Sequence, residues 1–322
     1  MPQKAGMTPP ASGARADTPP ADTPPDVHTE PGAAPDVVCI GSALWDLIGR
    51  TPANITPGGD VPGRIVRQPG GVAMNVAMTL RRFGLVPALL TAVGRDAEGD
   101  ALLAVAAALG IVTAHVHRSD LPTDRYMAIE GAGGLIAAIA DAHSLERAGD
   151  AILGPLTDGP LAGWRGPVVL DGNLTEATLA GIAVSPAFAD ADLRVAPASP
   201  GKAMRLLQLI AHPGATFYVN RIEAGLLLHA DPRDAAAAAA ALRARGAHRV
   251  LVTDGAGAAA LADADGIVQA VPPPVLVTRV TGAGDTVMAA HVAAELRGER
   301  AADALATALA AAAQHVAGDV PG

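Results

Sequence analysis

Aromatic side chains are nearly missing from this sequence, at 2% of its 322 residues, and there is one cysteine. The aromatic shortage accompanies heavy alanine use, follows composition rather than chemistry, and carries no functional reading. A lone cysteine excludes an internal disulfide framework and a multi-thiolate metal site. Cys39 sits in the apolar stretch Val37-Val38-Cys39-Ile40, where an inert buried thiol is expected. Long hydrophobic runs are also lacking. The stretches 235–242 and 304–313 are mostly alanine and too short to span a bilayer, and no basic-then-apolar leader opens the chain, so a cytoplasmic protein is expected. Cations are outnumbered, 23 Lys and Arg against 32 Asp and Glu, and the net charge of −9 repels phosphate backbones and anionic lipid. Neither a nucleic-acid nor a membrane partner is expected.

Several motifs are missing too. Gly201-Lys202-Ala203 lacks both the upstream glycine and the hydroxyl of a P-loop, and no Gly-x-Ser-x-Gly, His-Glu-x-x-His or Cys pair occurs. After the first apolar segment stands Gly41-Ser-Ala-Leu-Trp-Asp46, not the Gly-x-Gly-x-x-Gly of a dinucleotide fold. The nine histidines are scattered and suggest no metal centre.

What is present reads as a Pro/Ala-rich tail followed by one large domain. Residues 1–35 repeat Ala-Asp-Thr-Pro-Pro at 16–20 and 21–25, carry few large apolar side chains, and are expected to be disordered. From Asp36, short apolar strands alternate with helices: strands at 37–40, 89–93, 168–170, 215–219 and 250–252, helices at 75–83, 99–109 and 287–296. The cleanest helix runs from Asp234, a capping carboxylate, through alanines to Gly246. This alternation predicts an α/β fold, a mostly parallel sheet covered on both faces. Two stretches break it. Residues 47–69 and 123–142 read as β structure, the second as a hairpin of Arg125–Ile129 and Leu135–Ala140, and together they predict a small β-sheet lid over the active face. A sheet with open edges pairs readily with a copy of itself, which predicts a homodimer through the lid.

Chemistry concentrates at Thr281-Gly282-Ala283-Gly284-Asp285, just before an apolar-periodic helix. Glycines at a helix start let backbone N–H groups converge where the helix dipole is positive, a place for a phosphate. A carboxylate beside it can take a proton from an attacking hydroxyl. For an isolated Gly-x-Gly-Asp, a tight turn with Asp285 capping the helix is the better explanation.

The balance shifts when further segments are set beside it. Gly70-Gly-Val-Ala-Met-Asn75 with Gly94-Arg-Asp-Ala-Glu-Gly99 resembles the first signature of the ribokinase-like (PfkB) carbohydrate kinases, and Thr281–Asp285 resembles the second. Asn220-Arg-Ile-Glu223 resembles that family's Asn-x-x-Glu element, and Thr253-Asp-Gly255 its nucleotide-side turn. The resemblance implies a ribokinase-like three-layer α/β/α domain over 36–322 and ATP-dependent phosphoryl transfer to a small-molecule alcohol. It implies Asp285 as base beside the Gly282, Ala283 and Gly284 amides. Asp46, Gly70, Gly71 and Asn75 would hold the acceptor, Asn220, Thr253, Gly255 and Thr281 the ATP, and Glu223 with Asn220 a Mg²⁺ through water. Seen alone, Asp46 as a loop carboxylate and Asn75 as a helix cap are the better explanations, while Asn220 and Glu223 as an ordinary N-terminal cap, and Thr253 and Gly255 as a strand-end turn, explain those residues equally well. Within the family, Pro122-Thr-Asp-Arg-Tyr126, the segment Leu135 to Asp141, Leu170-Asp-Gly-Asn-Leu-Thr-Glu176 and Phe217 to Ala224 resemble pseudouridine kinases. That adds Asp141 and Asn173 as acceptor contacts and implies the 5′-hydroxyl of pseudouridine as acceptor, with ribose, adenosine or a hexose derivative, or a non-catalytic binding homologue, as alternatives. Departures are Arg279 where the family has an acid near its potassium-like ion, which puts monovalent activation in question, Val280 for a common threonine, Tyr218-Val219 for Lys-Pro, and Ala258 for a second glycine.

Overall fold

The computed structural model describes residues 34–318 except 57, 132, 133 and 280. Residues 1–33, most of the expected disordered tail, lie outside the described residues, as does Val280. In chain order the first half comprises β1 (Val37–Ile40), β2 (Leu44–Arg50), β3 (Arg64–Gly70), α1 (Val72–Arg82), β4 (Pro87–Leu90), β5 (Ala92–Gly94), α2 (Ala97–Ala108), β6 (His117–Ser119), β7 (Arg125–Gly131), β8 (Gly134–Asp141), α3 (His143–Ala148) and α4 (Gly154–Thr157). The second half comprises β9 (Val168–Asp171), α5 (Glu176–Val184), β10 (Leu193–Ala196), β11 (Ala215–Asn220), α6 (Arg221–Leu228), α7 (Ala235–Ala244), β12 (Arg249–Thr253), β13 (Ala259–Asp263), β14 (Gly266–Ala270), α8 (Ala283–Leu296) and α9 (Ala301–Ala317).

Eight strands form the main sheet in the order β14-β13-β12-β11-β10-β9-β1-β4. From β12 to β4 all neighbours are parallel, and β13 and β14 close one edge as an antiparallel hairpin. Successive side chains of a strand point to opposite faces. Val38, Ile40, Leu170, Val195, Phe217 and Val250 accordingly pack on one face against α3, α5, α6 and α7. Val37, Cys39, Val169, Tyr218 and Leu251 pack on the other against α1, α2, α8 and α9. Both faces are covered by helices, which is why these strands read as mostly apolar runs, with Arg194 on β10 the main interruption.

The stretches outside that alternation form a separate four-stranded sheet, β3-β2-β7-β8. The segment expected as one strand at 89–93 is two: β4 ends at Leu90 in the main sheet, and β5 pairs with β6. The helix expected from Asn75 begins at Val72, because its first amides find acceptors remote in sequence. Val72 N donates to Ser42 Oγ at 3.0 Å and Ala73 N to the Asp171 carboxylate at 3.2 Å. Asp234 caps α7 as its sequence implies, accepting from Ala237 N at 2.7 Å.

One ionic cluster is built into the second core. Arg194 on β10 pairs with Asp192 at 2.6 Å, with Glu295 near the end of α8, and donates to the Tyr218 hydroxyl at 3.0 Å. Tyr218 in turn meets His291 Nδ1 at 2.9 Å, and Arg249 also reaches Glu295. Burial pushes His291 down to about 4, so its ring is neutral near pH 7 and adds no charge to the cluster.

Phe217 is fully buried in the middle of the parallel sheet. Phe217→Ala should cost about 3–5 kcal/mol in urea unfolding with an unchanged m value; a cost under about 1 kcal/mol would mean that this face is not the packed core described.

Candidate active site

The carboxyl ends of β1, β9, β10, β11 and β12 open into one cleft of about 690 Å³, with the second sheet on its far wall. This is where parallel sheets place ligands, because the strand-to-helix loops and helix N-termini converge there. Asp46, Gly71, Asn75, Asn173, Asn220, Glu223, Thr253, Gly255, Thr281, Gly282, Ala283, Gly284 and Asp285 all line it, so residues up to 239 positions apart share one cavity.

Asp285 lies in the first turn of α8, whose N-cap is Gly282 at φ 82°, with no side chain capping the helix. Its carboxylate instead accepts from Asn75 Nδ2 at 2.9 Å. Asp285 is therefore not the cap that an isolated motif suggests, nor is Asn75, which lies inside α1 and donates its backbone N–H to Gly71 O at 2.8 Å. Burial, opposed by the Asn75 hydrogen bond and reinforced by Asp171, Asp46 and Glu223, pushes the Asp285 carboxyl up to about 7.

The wall of the cleft beside Asp46 is built by close backbone approach. Asp46 on β2 lies over Gly70, where a Cβ would stand 2.2 Å from its Oδ2, and a Cβ on Gly71 at φ 93° would stand 2.5 Å from Ser42 O. Only glycine fits at either place. Burial raises the Asp46 carboxyl to about 6. Cross-strand register sets Asp46 opposite Tyr126, and Tyr126 opposite Ala140, so these three form one row facing the cleft.

Asp141, expected as an acceptor contact, does not belong to that row and does not line the cavity. It follows Ala140, so the alternation of the strand turns it to the opposite face. There it is exposed, stands opposite Arg125 in the strand register, and its carboxylate meets His143 Nδ1 at 2.6 Å. Gly70 acts beneath Asp46 without lining the cavity itself.

Asn173 is fixed from three sides: its N–H donates to Asp171 Oδ1 at 2.7 Å, Nδ2 donates to Ser42 Oγ at 2.8 Å, and Oδ1 accepts from Lys202. Asp171 is fully buried and also accepts from Ser42 N at 2.7 Å and Ser42 Oγ at 2.8 Å. Ser42, Tyr126, Asp171 and Lys202 were not singled out from the sequence. Lys202 enters the sequence only in a segment that fails as a P-loop, Tyr126 and Asp171 only within longer resembling segments, and Ser42 carries no local mark of its own.

Asn220 and Glu223 form a reciprocal capping box at the start of α6: Glu223 N donates to Asn220 Oδ1 and Asn220 N to Glu223 Oε2, each at 2.9 Å. Glu223 is nonetheless buried on the cleft wall, and burial raises its carboxyl. Thr253 ends β12 opposite Asn220, and Gly255 turns the chain at φ 57°. Thr281 O accepts from His315 Nε2 at 2.8 Å.

The pfkB family carbohydrate kinase model matches residues 34–318. Pseudouridine kinase of Escherichia coli (strain K12) is 30% identical over 264 residues, 79% of this chain and 81% of that protein. Among solved structures, ribokinase from Thermotoga maritima superposes with a TM-score of 0.75 at 20% identity, covering 90% of this chain and 97% of that one. Arabidopsis thaliana ribokinase complexed with ribose and ATP superposes at 0.71 and 22% identity, covering 90% and 94%. With the family model spanning both sheets and the whole cleft, the chain belongs to the pfkB family of carbohydrate kinases, ATP-dependent enzymes that phosphorylate sugar or nucleoside hydroxyls.

Proposed function

We propose that this kinase transfers the γ-phosphoryl group of ATP to the 5′-hydroxyl of pseudouridine. The observation that carries the reading is the junction at Asp285: a carboxyl raised to about 7, hydrogen-bonded to Asn75, with the Gly282–Gly284 turn beside it and Asp46 across the same cleft. The likeness to Escherichia coli pseudouridine kinase, and a second match of 33% identity over 66 residues to the Arabidopsis thaliana enzyme, favour pseudouridine over ribose, adenosine or a hexose derivative.

The acceptor's ribose hydroxyls meet Asp46 and the bare backbone of Gly71, and its primary hydroxyl points to Asp285. As the oxygen attacks, its proton passes to the Asp285 carboxylate, while the charge gathering on the phosphoryl oxygens is met by the amides of the turn and the positive end of α8. Asn75 holds the carboxylate oriented for that transfer. The lid sheet over the acceptor excludes water. Glu223, a hard oxygen donor on the cleft wall with one oxygen already held by Asn220 N, fits a water-mediated hold on Mg²⁺, and Mg²⁺ supplies charge neutralisation on the ATP phosphates. No group of three or more His, Cys, Asp or Glu among the described residues could hold a metal ion alone. The Arg279 guanidinium lies where family members carry an acid near a monovalent ion, and such an ion has no role in this reading.

The lid also suggests the assembly. Ile65, Met127 and Ile139 occupy the face opposite Asp46 at 80%, 48% and 69% exposure, and β3 and β8 are open edges. We read this sheet as the contact of a homodimer.

ADP release measured over pseudouridine, uridine, adenosine, ribose and fructose tests the acceptor: turnover should be greatest with pseudouridine, and preference for another compound would reassign the substrate. Asp285→Asn should lower kcat by about 10²–10⁴ while nucleoside and ATP binding persist. Only the ionised carboxylate accepts a proton, so kcat/KM should rise tenfold per pH unit below about 7 and level above it; a flat profile from about pH 5.5 to about pH 8.5 would remove Asp285 as base. Light scattering should give twice the chain mass, falling to one chain mass on Ile139→Lys.

A further inference from the structure

Two residues that do not line the cleft grip its phosphate turn from behind. His315, in the last turn of α9, places Nε2 2.8 Å from Thr281 O. A carbonyl oxygen only accepts, so Nε2 carries a hydrogen and donates it. In the neutral ring Nδ1 is then an acceptor, and Arg279 Nη2 faces it at 3.3 Å while Arg279 Nε donates to the His315 carbonyl at 2.7 Å. The backbone N–H groups of Thr278 and Arg279 both donate to Val316 O, at 2.8 and 3.2 Å, which ties the strap entering the turn to the end of α9. The ring packs on the bare Cα of Gly282, where a Cβ would stand 3.1 Å from Nε2. Burial, with the positive charges of Arg279 and of Arg82 from α1, holds His315 below its ordinary value, so the neutral tautomer is the form present near pH 7.

The peptide bond between Thr281 and Gly282 is planar and trans, so its C=O and N–H point in opposite directions. Holding the Thr281 carbonyl on His315 therefore turns the Gly282 N–H to the other side. We propose that His315, braced by Arg279, is a positioning residue for phosphoryl transfer: its Nε2–H keeps the Thr281 carbonyl out of the cleft and the Gly282 N–H aimed at the migrating phosphoryl group. Released, this peptide can rotate about the permissive glycine and present a carbonyl dipole of the wrong sign to the phosphate. The inference rests on reading the Gly282–Gly284 turn as the phosphate site, and His315 acts through Thr281 without touching the reacting atoms.

His315→Phe keeps the ring's bulk without a donor at Nε2, and His315→Gln keeps an N–H donor. With the preferred acceptor, His315→Phe should lower kcat at least about tenfold and leave the acceptor KM within about twofold, and His315→Gln should recover most of the loss. Equilibrium binding without acceptor gives a readout independent of turnover. The preference for a non-hydrolysable ATP analogue over ADP should survive in His315→Gln and vanish in His315→Phe. His315→Leu takes the same part should the Phe variant not fold. Wild-type kcat in the donor-less variant, or a Gln variant no better than it, overturns the inference. Failure of the wild-type protein to bind either nucleotide would instead count against the phosphate-site reading itself.

Discussion

A carboxylate with no access to water ties the fold to its cleft. Asp171 ends β9 fully buried and accepts from Ser42 N, Ser42 Oγ, Ala73 N and Asn173 N, which joins the loop after β1, the first turn of α1 and the loop after β9. Burying a charge is costly unless its lone pairs are filled, and here four donors from three segments fill them. The arrangement holds only if those segments meet in this geometry. Through Ala73 it sets the start of α1, hence the place of Asn75, and through Asn75 the orientation of Asp285. Asp285 is secured from its other end too, since Arg194 and Arg249 hold Glu295 near the close of α8.

The cleft is crowded with acids. Asp46, Asp171 and Glu223 each oppose ionisation of Asp285, and desolvation opposes it more strongly. A carboxyl so placed titrates near neutrality, where a general base is most useful. The same field repels anions, so under the proposed reading ATP would enter with its charge compensated by cations, by α8's positive end and by the turn amides. A neutral polyhydroxyl acceptor escapes this penalty, which suits the carboxylate wall to sugars.

How much of this the sequence discloses depends on how local the cause is. Asp234 before seven alanines is a local signal, and the helix starts there. The strands of the main sheet are legible because burial on both faces leaves them uniformly apolar, and the hairpin β7-β8 because glycines separate two β-prone segments. The start of α1 is not legible, since Ser42 and Asp171, which receive its amides, lie 30 and 98 positions away. Nor is the break at Thr91 that sends β4 and β5 to different sheets, nor the alanine-rich β13-β14 edge. Among the residues that share the cavity, those in glycine-rich signatures are marked in the sequence. Lys202 and Ser42, which depend on contacts 29 and 131 positions from Asn173, carry no such mark. Asp141 lies off the cavity row because a strand divides its residues between two surfaces, which the resemblance of its segment as a block does not disclose.

That division has a consequence for how the protein can change. Asp46, Tyr126 and Ala140 look into the cavity, while Ile65, Met127 and Ile139 look outward from the same ribbon. Under the proposed reading, point substitutions would retune substrate choice and self-association separately. A one-residue insertion or deletion within β2 ahead of Asp46 would turn the acid to the outer surface and bring a neighbouring side chain of β2, such as Leu47, to the cavity side. Natural variants of this ribbon should differ by replacement, with length changes confined to its connecting turns.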